Sequence, residues 1–563
     1  MQIAGKKVHW SVTILGIVLG FFIIVQAIVF FVLQPLVGQV IRSSVSYFSD
    51  DIYQIDFNRL RVELFRKAIE LEGVVLTYDT ARVHQSANLR QGKQYTGTAR
   101  HVRANLHEFA YFLSGRYLAV DAIEIIQPTI YAHYFPETSS RDTTQRDSTL
   151  EFNTYQLIKP YFDSVYISVL NVDEASVGAV QHHGPTLSDT TAVREVSITI
   201  REAQVDSVTA SRRQGWPSMK EFTLGMRDQT FVSADSLYEF QIDSAQADPL
   251  RGTLSVKQFS VVPRWDRYEM GEHLGRVANW VQLDISQITA REVDFPLLTD
   301  SMRVRLDRLD VDQANFTLFR DLRLPSGESK KRPLLQEQMQ SAPFTFQLDT
   351  ITLASSLVAY EERHDSTDQA GRIAFEDLYA SFYNVTNTPI DSAAVMSADV
   401  RTRLMGEGDA ELHFTFPLTS TRGEHQITGQ LDRMSLAVLN PTIEPLAFTS
   451  IKSGIVNRMD FNMQLDEEYA TGSVRFQYEN LKLSLLQEGE PDDKKGVKSW
   501  LANLLVVKDS NPVRTKPLRP GPISFEREPT KSMFNYWWRA LRSGLEVSVG
   551  VKKAPANTQS AGE

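Results

Sequence analysis

The side chains that could do chemistry are scattered. Eleven histidines occur and there is no cysteine. The missing thiol excludes disulfides, thiolate metal sites and cysteine catalysis. His182 and His183 sit side by side in a polar loop. Neighbours on an extended chain face opposite ways, so the pair makes a poor chelate, and no HExxH spacing exists. Asp307, Asp310 and Asp312 suggest a calcium loop but lack the glycine and closing glutamate of an EF-hand. Gly225, Gly406 and Gly408 form no phosphate loop, and no GxSxG elbow is present. Asn315 and Thr317 match a glycosylation sequon, a motif common by chance. We therefore expect no catalytic residue, no metal and no cofactor.

The residues that carry a signal are apolar. From Trp10 to Ile41 no side chain is charged, with Lys6 and Lys7 before the run and Arg42 after it. About 20 apolar residues cross a bilayer, whereas a signal-peptide core has about 7–15 and ends in small residues. Pro35 and bulky residues follow here, which predicts an uncleaved anchor containing Trp10, Phe21, Phe22, Phe30 and Phe31. The basic residues favour a cytoplasmic N-terminus, with the bulk on the far side. A net charge of −10 argues against a nucleic-acid partner.

Past the anchor, period-two patterns dominate and predict strands. Short helices are expected at Asn105–Leu113 and Arg267–Val281. Polar loops are expected at Glu137–Ser148, Gln181–Asp189, Gly327–Arg332 and Glu488–Lys498. A phrase recurs: two alternating apolar residues, an Asp, then two more. It reads Leu118, Val120, Asp121, Ile123, Ile125; then Val304, Leu306, Asp307, Leu309, Val311; then Phe346, Leu348, Asp349, Ile351, Leu353. The apolar positions change parity at each Asp. A β-bulge there would keep both halves on one face; a tight turn at the Asp is the other reading. The predicted fold class is mainly β: an N-terminal transmembrane helix, then an elongated, curved antiparallel β-sheet groove or meander with a few short helices. Leu306, Leu309, Val311, Phe316, Phe346, Leu348, Ile351 and Val358 are the candidate lining of its apolar face. Such a face must fold over, be covered, or hold something apolar.

Near the C-terminus, Gly454 and Gly472 precede alternating runs and suggest turns. Trp500–Val507 is apolar but too short to cross a bilayer. Trp537, Trp538, Arg539 and Arg542 mix aromatics with arginines. They suit either an interfacial helix or a helix that caps the last strands.

From Gly429 to about Gly550 the chain resembles the C-terminal region of AsmA-like proteins. The resemblance rests on Leu439, Asn440 and Pro441, then Ile451, Ser453 and Gly454, then Ala470 and Gly472, then Tyr478, Asn480 and Leu481. Tyr53–Phe57 and Leu71–Val74 resemble the start of that family's extracytoplasmic region. The resemblance implies a bacterial inner-membrane anchor and a periplasmic β-groove of the bridge-like lipid-transfer kind. It implies no catalytic motif. The chain would divide into a cytoplasmic N-terminus (1–9), an anchor (10–41), an N-terminal β region (42–135), a repeated β-meander groove (149–428), an AsmA-like C-terminal region (429–550) and a disordered tail (551–563). The expected partners are phospholipid or another acyl-chain lipid, the inner membrane and envelope proteins. The expected role is lipid transfer supporting outer-membrane assembly; the alternative is an envelope stalk with a sealed core.

Overall fold

A computed structural model describes the chain apart from residues 1–24, 50, 81–93, 108–115, 135–154, 156–157, 160–161, 183–187, 209–216, 234, 296, 299–302, 326–330, 343, 365–368, 389–393, 487–506, 515 and 553–563. Trp10, Phe21, Phe22, His183 and the end of the expected tail lie outside the described residues. So do the loops at Glu137–Ser148 and Glu488–Lys498, and nearly all of Trp500–Val507.

The protein is mainly β, with one long apolar helix near the N-terminus and twenty-two strands among the described residues. Val25–Tyr47 is long and apolar enough to span a membrane. It comprises a π-helical stretch, Val29–Leu33, and helix α1, Gln34–Phe48. Pro35 has no N–H to give, and the looser π turn lies just before it. The helix continues past Arg42, beyond the expected end at Ile41. Val25, Val29, Leu33 and Val37 recur every four residues and so share a face. That face packs on Leu60, Val62, Leu64 and Ile69. Ile28, Phe30, Phe31, Val32 and Leu36 point away and are more than half exposed.

The chain forms two compact units. The first, through Gln229 with Gln246–Leu250, holds β1 (Tyr53–Asp56), β2 (Arg59–Glu63), β3 (Ala68–Tyr78), β4 (Gln94–Leu106), β5 (Tyr117–Ile126), β6 (Thr129–Tyr134), β7 (Ser164–His182), β8 (Ser188–Asp206) and most of β9 (Glu221–Val232). The second, Thr230–Ala245 with Arg251–Glu563, holds most of β10 (Tyr238–Asp248). It continues through β11 (Thr253–Pro263), β12 (Trp280–Arg291), β13 (Arg303–Asp321), β14 (Thr345–Arg363), β15 (Gly371–Thr386), β16 (Val395–Leu404), β17 (Gly408–Pro417), β18 (His425–Leu431), β19 (Met434–Ser435), β20 (Thr449–Leu465), β21 (Tyr469–Leu485) and β22 (Gly521–Glu526). Its helices are α2 (Glu269–Leu274), α3 (Leu335–Gln340), α4 (Asn440–Ala447) and α5 (Met533–Ser548).

The pairing is mixed rather than purely antiparallel. β7 runs parallel to both β5 and β6, and β13 runs parallel to β14. A parallel neighbour needs a crossover connection, and α3 lies in the one between β13 and β14. Of the helix expected at Asn105–Leu113, Asn105 and Leu106 instead complete β4, and residues 108–113 lie outside the described residues. The helix expected over Arg267–Val281 shrinks to α2, which stops at Gly275 in a left-handed cap, and Trp280 already begins β12. Gly454 and Gly472 are not turn residues. They lie inside β20 and β21 with φ 148° and 151°, and a Cβ on Gly472 would stand 2.0 Å from the Asn462 carbonyl oxygen. At Gly472 close approach of two backbones, rather than a turn, requires glycine.

Candidate functional site: one apolar sheet face

Directly paired residues on adjacent strands share a face. Leu306 pairs with Leu348, Leu309 with Ile351, and Phe316 with Val358 across β13 and β14. Leu348 pairs in turn with Val385, and Ile351 with Phe382. Phe382 pairs with Ala398, whose second neighbour Met396 packs with Val385 in one cluster. Phe382 and Val385 thus face the same way although three residues apart, so the alternation breaks between them. The break falls at Asn384, which has φ 57°. Opposite it stands Asp349, and beyond that Asp307; neither Asp307–Asp349 nor Asp349–Asn384 appears among the paired positions. The parity change at each Asp therefore occurs in register on neighbouring strands, and the ladder resumes with no net slip. At Asp121 the irregularity is one-sided: Asn105 pairs with Ala122 and Leu106 with Val120, leaving Asp121 as an extra residue.

A second crease crosses the middle of the strands. Gln258, Gln313, Ser355 and Asp377 have φ between 44° and 54°, and Ser286 hydrogen-bonds Gln313 at 2.9 Å. Apolar positions switch parity again there, from Val311 to Ala314 in β13 and from Leu353 to Val358 in β14. Val358 pairs with Phe375 and Phe375 with Leu404, which packs on the C-terminal core. Two parity changes thus bring Leu306, Leu309, Val311, Phe316, Phe346, Leu348, Ile351 and Val358 onto one face. Left-handed backbone is costly for residues other than glycine, and short polar side chains tolerate it best.

That face is covered unequally. Over β18, β20, β21 and β22 it is a sealed core of Ile427, Met463, Val474, Phe476, Tyr478 and Ile523, closed by Tyr536 and Ala540 of α5. Over β12, β13 and β14 the candidates are half-buried, Leu306 alone being buried at 6 % exposure. Among the described residues, none of the helices lies along β12 or β13.

The opposite face is polar. It carries an open depression of about 1190 Å³ lined by Arg308, Asp310, Thr352, Asp399, Arg401 and His413, among others. Arg308 and Thr352 both hydrogen-bond Asp310, at 2.7 and 2.5 Å. These contacts hold the Asp310 carboxyl below the usual carboxylate range against the opposing cost of burial, the largest influence on it. His413 meets Asp399 at 2.7 Å. No described group of three His, Asp or Glu residues is arranged to hold a metal ion. The polar side chains pair with one another along the sheet, and the other ring nitrogen of His413 meets the Thr415 hydroxyl at 3.3 Å.

In α5, Trp537 belongs to the core and not to an interface. It packs on Phe414 and Phe416, and its Nε1–H donates to His425 Nε2 at 2.9 Å. Trp538 faces outward at 47 % exposure. Arg539 pairs with Glu528, and Arg542 with Glu546 at 2.8 Å. Sequence reading missed the polar depression. Its signal was in plain view as the charged residues alternating with the apolar ones, Asp310 and Asp312 among them. No family model and no curated protein sequence matches this chain.

Proposed function

We propose that this protein is a membrane-anchored lipid-handling protein in which the apolar face of β12–β14 carries acyl chains. In this reading it resembles the AsmA-like proteins: the bulk lies in the periplasm of a bacterium and supports phospholipid transfer and outer-membrane assembly without catalysing a reaction. The observation that carries it is the apolar row from Leu306 to Phe316 and from Phe346 to Val358, half-buried apart from Leu306, on a sheet whose other face carries the charged residues of the depression. An acyl chain laid on that row gains roughly 0.8 kcal/mol for each CH₂ removed from water. The apolar helix Val25–Tyr47 supports a source of such chains close by. The depression lies on the polar face, so lipid would lie along the half-buried apolar face and not inside that cavity.

A second reading has its own support. The sealed core beneath α5 suits a stalk that docks envelope proteins. The two separate in one experiment. Wild-type protein and the Leu309→Asp and Ile351→Asp variants are extracted gently from their membrane, and bound lipid and thermal stability are measured on the same samples. Lipid-handling predicts that each variant loses most of its lipid while still unfolding cooperatively, because ions are costly to desolvate against acyl chains. Lipid no higher than in a matched single-span protein, or lost only with the fold, would leave the stalk.

A further inference from the structure

A notch of about 390 Å³ lies between the apolar helix and the first strands, lined by Phe30, Phe31, Gln34, Pro35, Gly38, Arg42, Phe57 and Leu60. Three observations give it a chemical character. Its helix side is aromatic and open, Phe30 and Phe31 being 61 % and 74 % exposed. Gly38 makes the room: a Cβ there would already touch Leu60 and Phe57, each at 3.4 Å. Its far end is charged. Arg42, the first charge after the long apolar run, stacks 4.2 Å above the Phe57 ring and donates to Asp56 at 2.8 Å.

We propose that this notch binds one glycerophospholipid whose headgroup carries both a phosphate and a primary ammonium. One acyl chain would lie on Phe30, Phe31 and Leu60, and the phosphate would accept from Arg42. An arginine has five donors and suits a phosphate well, and its bond to Asp56 uses one. The ammonium would donate to Asp56, whose hydrogen bonds from Arg42 and from the Phe57 amide both go to Oδ1, so that the second oxygen would be the one to accept from it. A cation beside an anion at the end of an apolar track matches a zwitterionic headgroup better than an anionic one. Stacking on Phe57 keeps the guanidinium at this level. The inference rests only on the helix lying in a bilayer, and not on lipid carried by β12–β14.

The test uses the full-length protein in membranes containing phosphatidylethanolamine and phosphatidylglycerol, with native mass spectrometry of the retained lipid. Wild type should retain one phosphatidylethanolamine, enriched about tenfold over its share of the membrane, which corresponds to 1.4 kcal/mol. Gly38→Leu should abolish that retention by filling the notch. Arg42→Gln should lose both lipids, and it guards against a helix displaced by the larger side chain. Asp56→Asn should reverse the preference toward phosphatidylglycerol, because the carboxylate no longer repels an anionic headgroup. Leu309→Asp should leave this lipid in place, which separates failure here from failure of lipid carriage on the sheet. Equal retention by Gly38→Leu and wild type, or no preference between the two lipids in wild type, would overturn the site.

Discussion

Two stretches of one sheet face in the second unit are built from the same residue types and finished differently. Over β18–β22, Val474, Phe476 and Tyr478 are closed off by α5. Over β12–β14, Leu309, Phe316, Ile351 and Val358 are only half-buried, and no described helix lies along β12 or β13. Alternation of apolar residues fixes which way a side chain points; it does not fix what lies above it. The cover over β21 and β22 comes from close backbone approach. Gly521 and Gly544 let α5 rest on β22, and a Cβ on Gly521 would stand 2.5 Å from the Gly544 carbonyl oxygen. Among the described residues no such glycine pair seats a helix over β13. The half-buried stretch is where the proposed acyl chains would lie, and the sealed one is packed by the protein's own side chains.

The largest test of that contrast is a matched pair of truncations. Phe476 is 8 % exposed within the sealed core. Phe476→Ala should destabilise by about 3–5 kcal/mol, the cost of emptying a packed aromatic site. Phe316→Ala removes the same atoms from a half-wet site and leaves no closed cavity, so about 1–2 kcal/mol is expected from the smaller area lost. Denaturant unfolding followed by near-ultraviolet circular dichroism measures both. Equal losses would mean that β13 is covered as fully as β21.

A smaller effect comes from unseating the cover. Gly544→Leu places a side chain where a Cβ alone would stand 2.8 Å from the Gly521 carbonyl oxygen and 2.8 Å from Ile523. Overpacking of this kind costs about 1–3 kcal/mol. It should also expose part of the sealed face, so the variant should bind more of a hydrophobic dye such as ANS than wild type does. Stability lost without added dye binding would show that α5 tilts without uncovering the strands.

Much of this architecture was legible in the sequence, and the reasons are local. The parity change at Asp121, Asp307 and Asp349 follows from period two and relates Leu306 to Leu309 and Leu348 to Ile351, whereas the second change, at Gln313 and Ser355, which brings in Phe316 and Val358, has no such mark in the sequence. The partners that make the change possible were hidden: Asn384 lies in a different strand, and only the folded register sets it opposite Asp349. The parallel pair β13–β14 was illegible because a crossover and a long hairpin loop read alike. Gly472 looked like a turn because sequence shows that glycine is needed, not that Asn462 crowds it. The polar depression went unseen because charged residues on alternate positions read as a solvated surface. Trp537 could be assigned to a core only once His425 and Phe414 had been brought to it.

The smallest expected effect is a pH dependence confined to the sealed region. His425 is buried at 4 % exposure. Its Nε2 accepts from Trp537, and its Nδ1 donates to the Gly423 carbonyl at 2.8 Å. That arrangement fixes a neutral ring, and protonation at Nε2 would break the tryptophan bond. Burial, the dominant cause, pushes the imidazole below its ordinary range; the Gly423 hydrogen bond and Asp466 oppose the shift, and Arg527 reinforces it. The group binds its proton less readily folded than unfolded. Its contribution is complete above the unfolded value of about 6.5 and declines as pH falls below it, by at most about 1.4 kcal/mol per pH unit. The nearby Asp466, with Asp321 farther off, has a depressed carboxyl, and these lose their contribution only below the ordinary carboxylate range of about 3.9. The two windows do not overlap. Between pH 7.5 and 5, unfolding monitored by the fluorescence of the tryptophans should weaken by about 1 kcal/mol. His425→Phe keeps a ring against Phe416 and removes the titrating nitrogen. It should cost stability at pH 7.5 through the unpaired Trp537 N–H, and flatten the slope between pH 6.5 and 5. An unchanged slope in that variant would place the acid sensitivity elsewhere and leave His425 a packing residue.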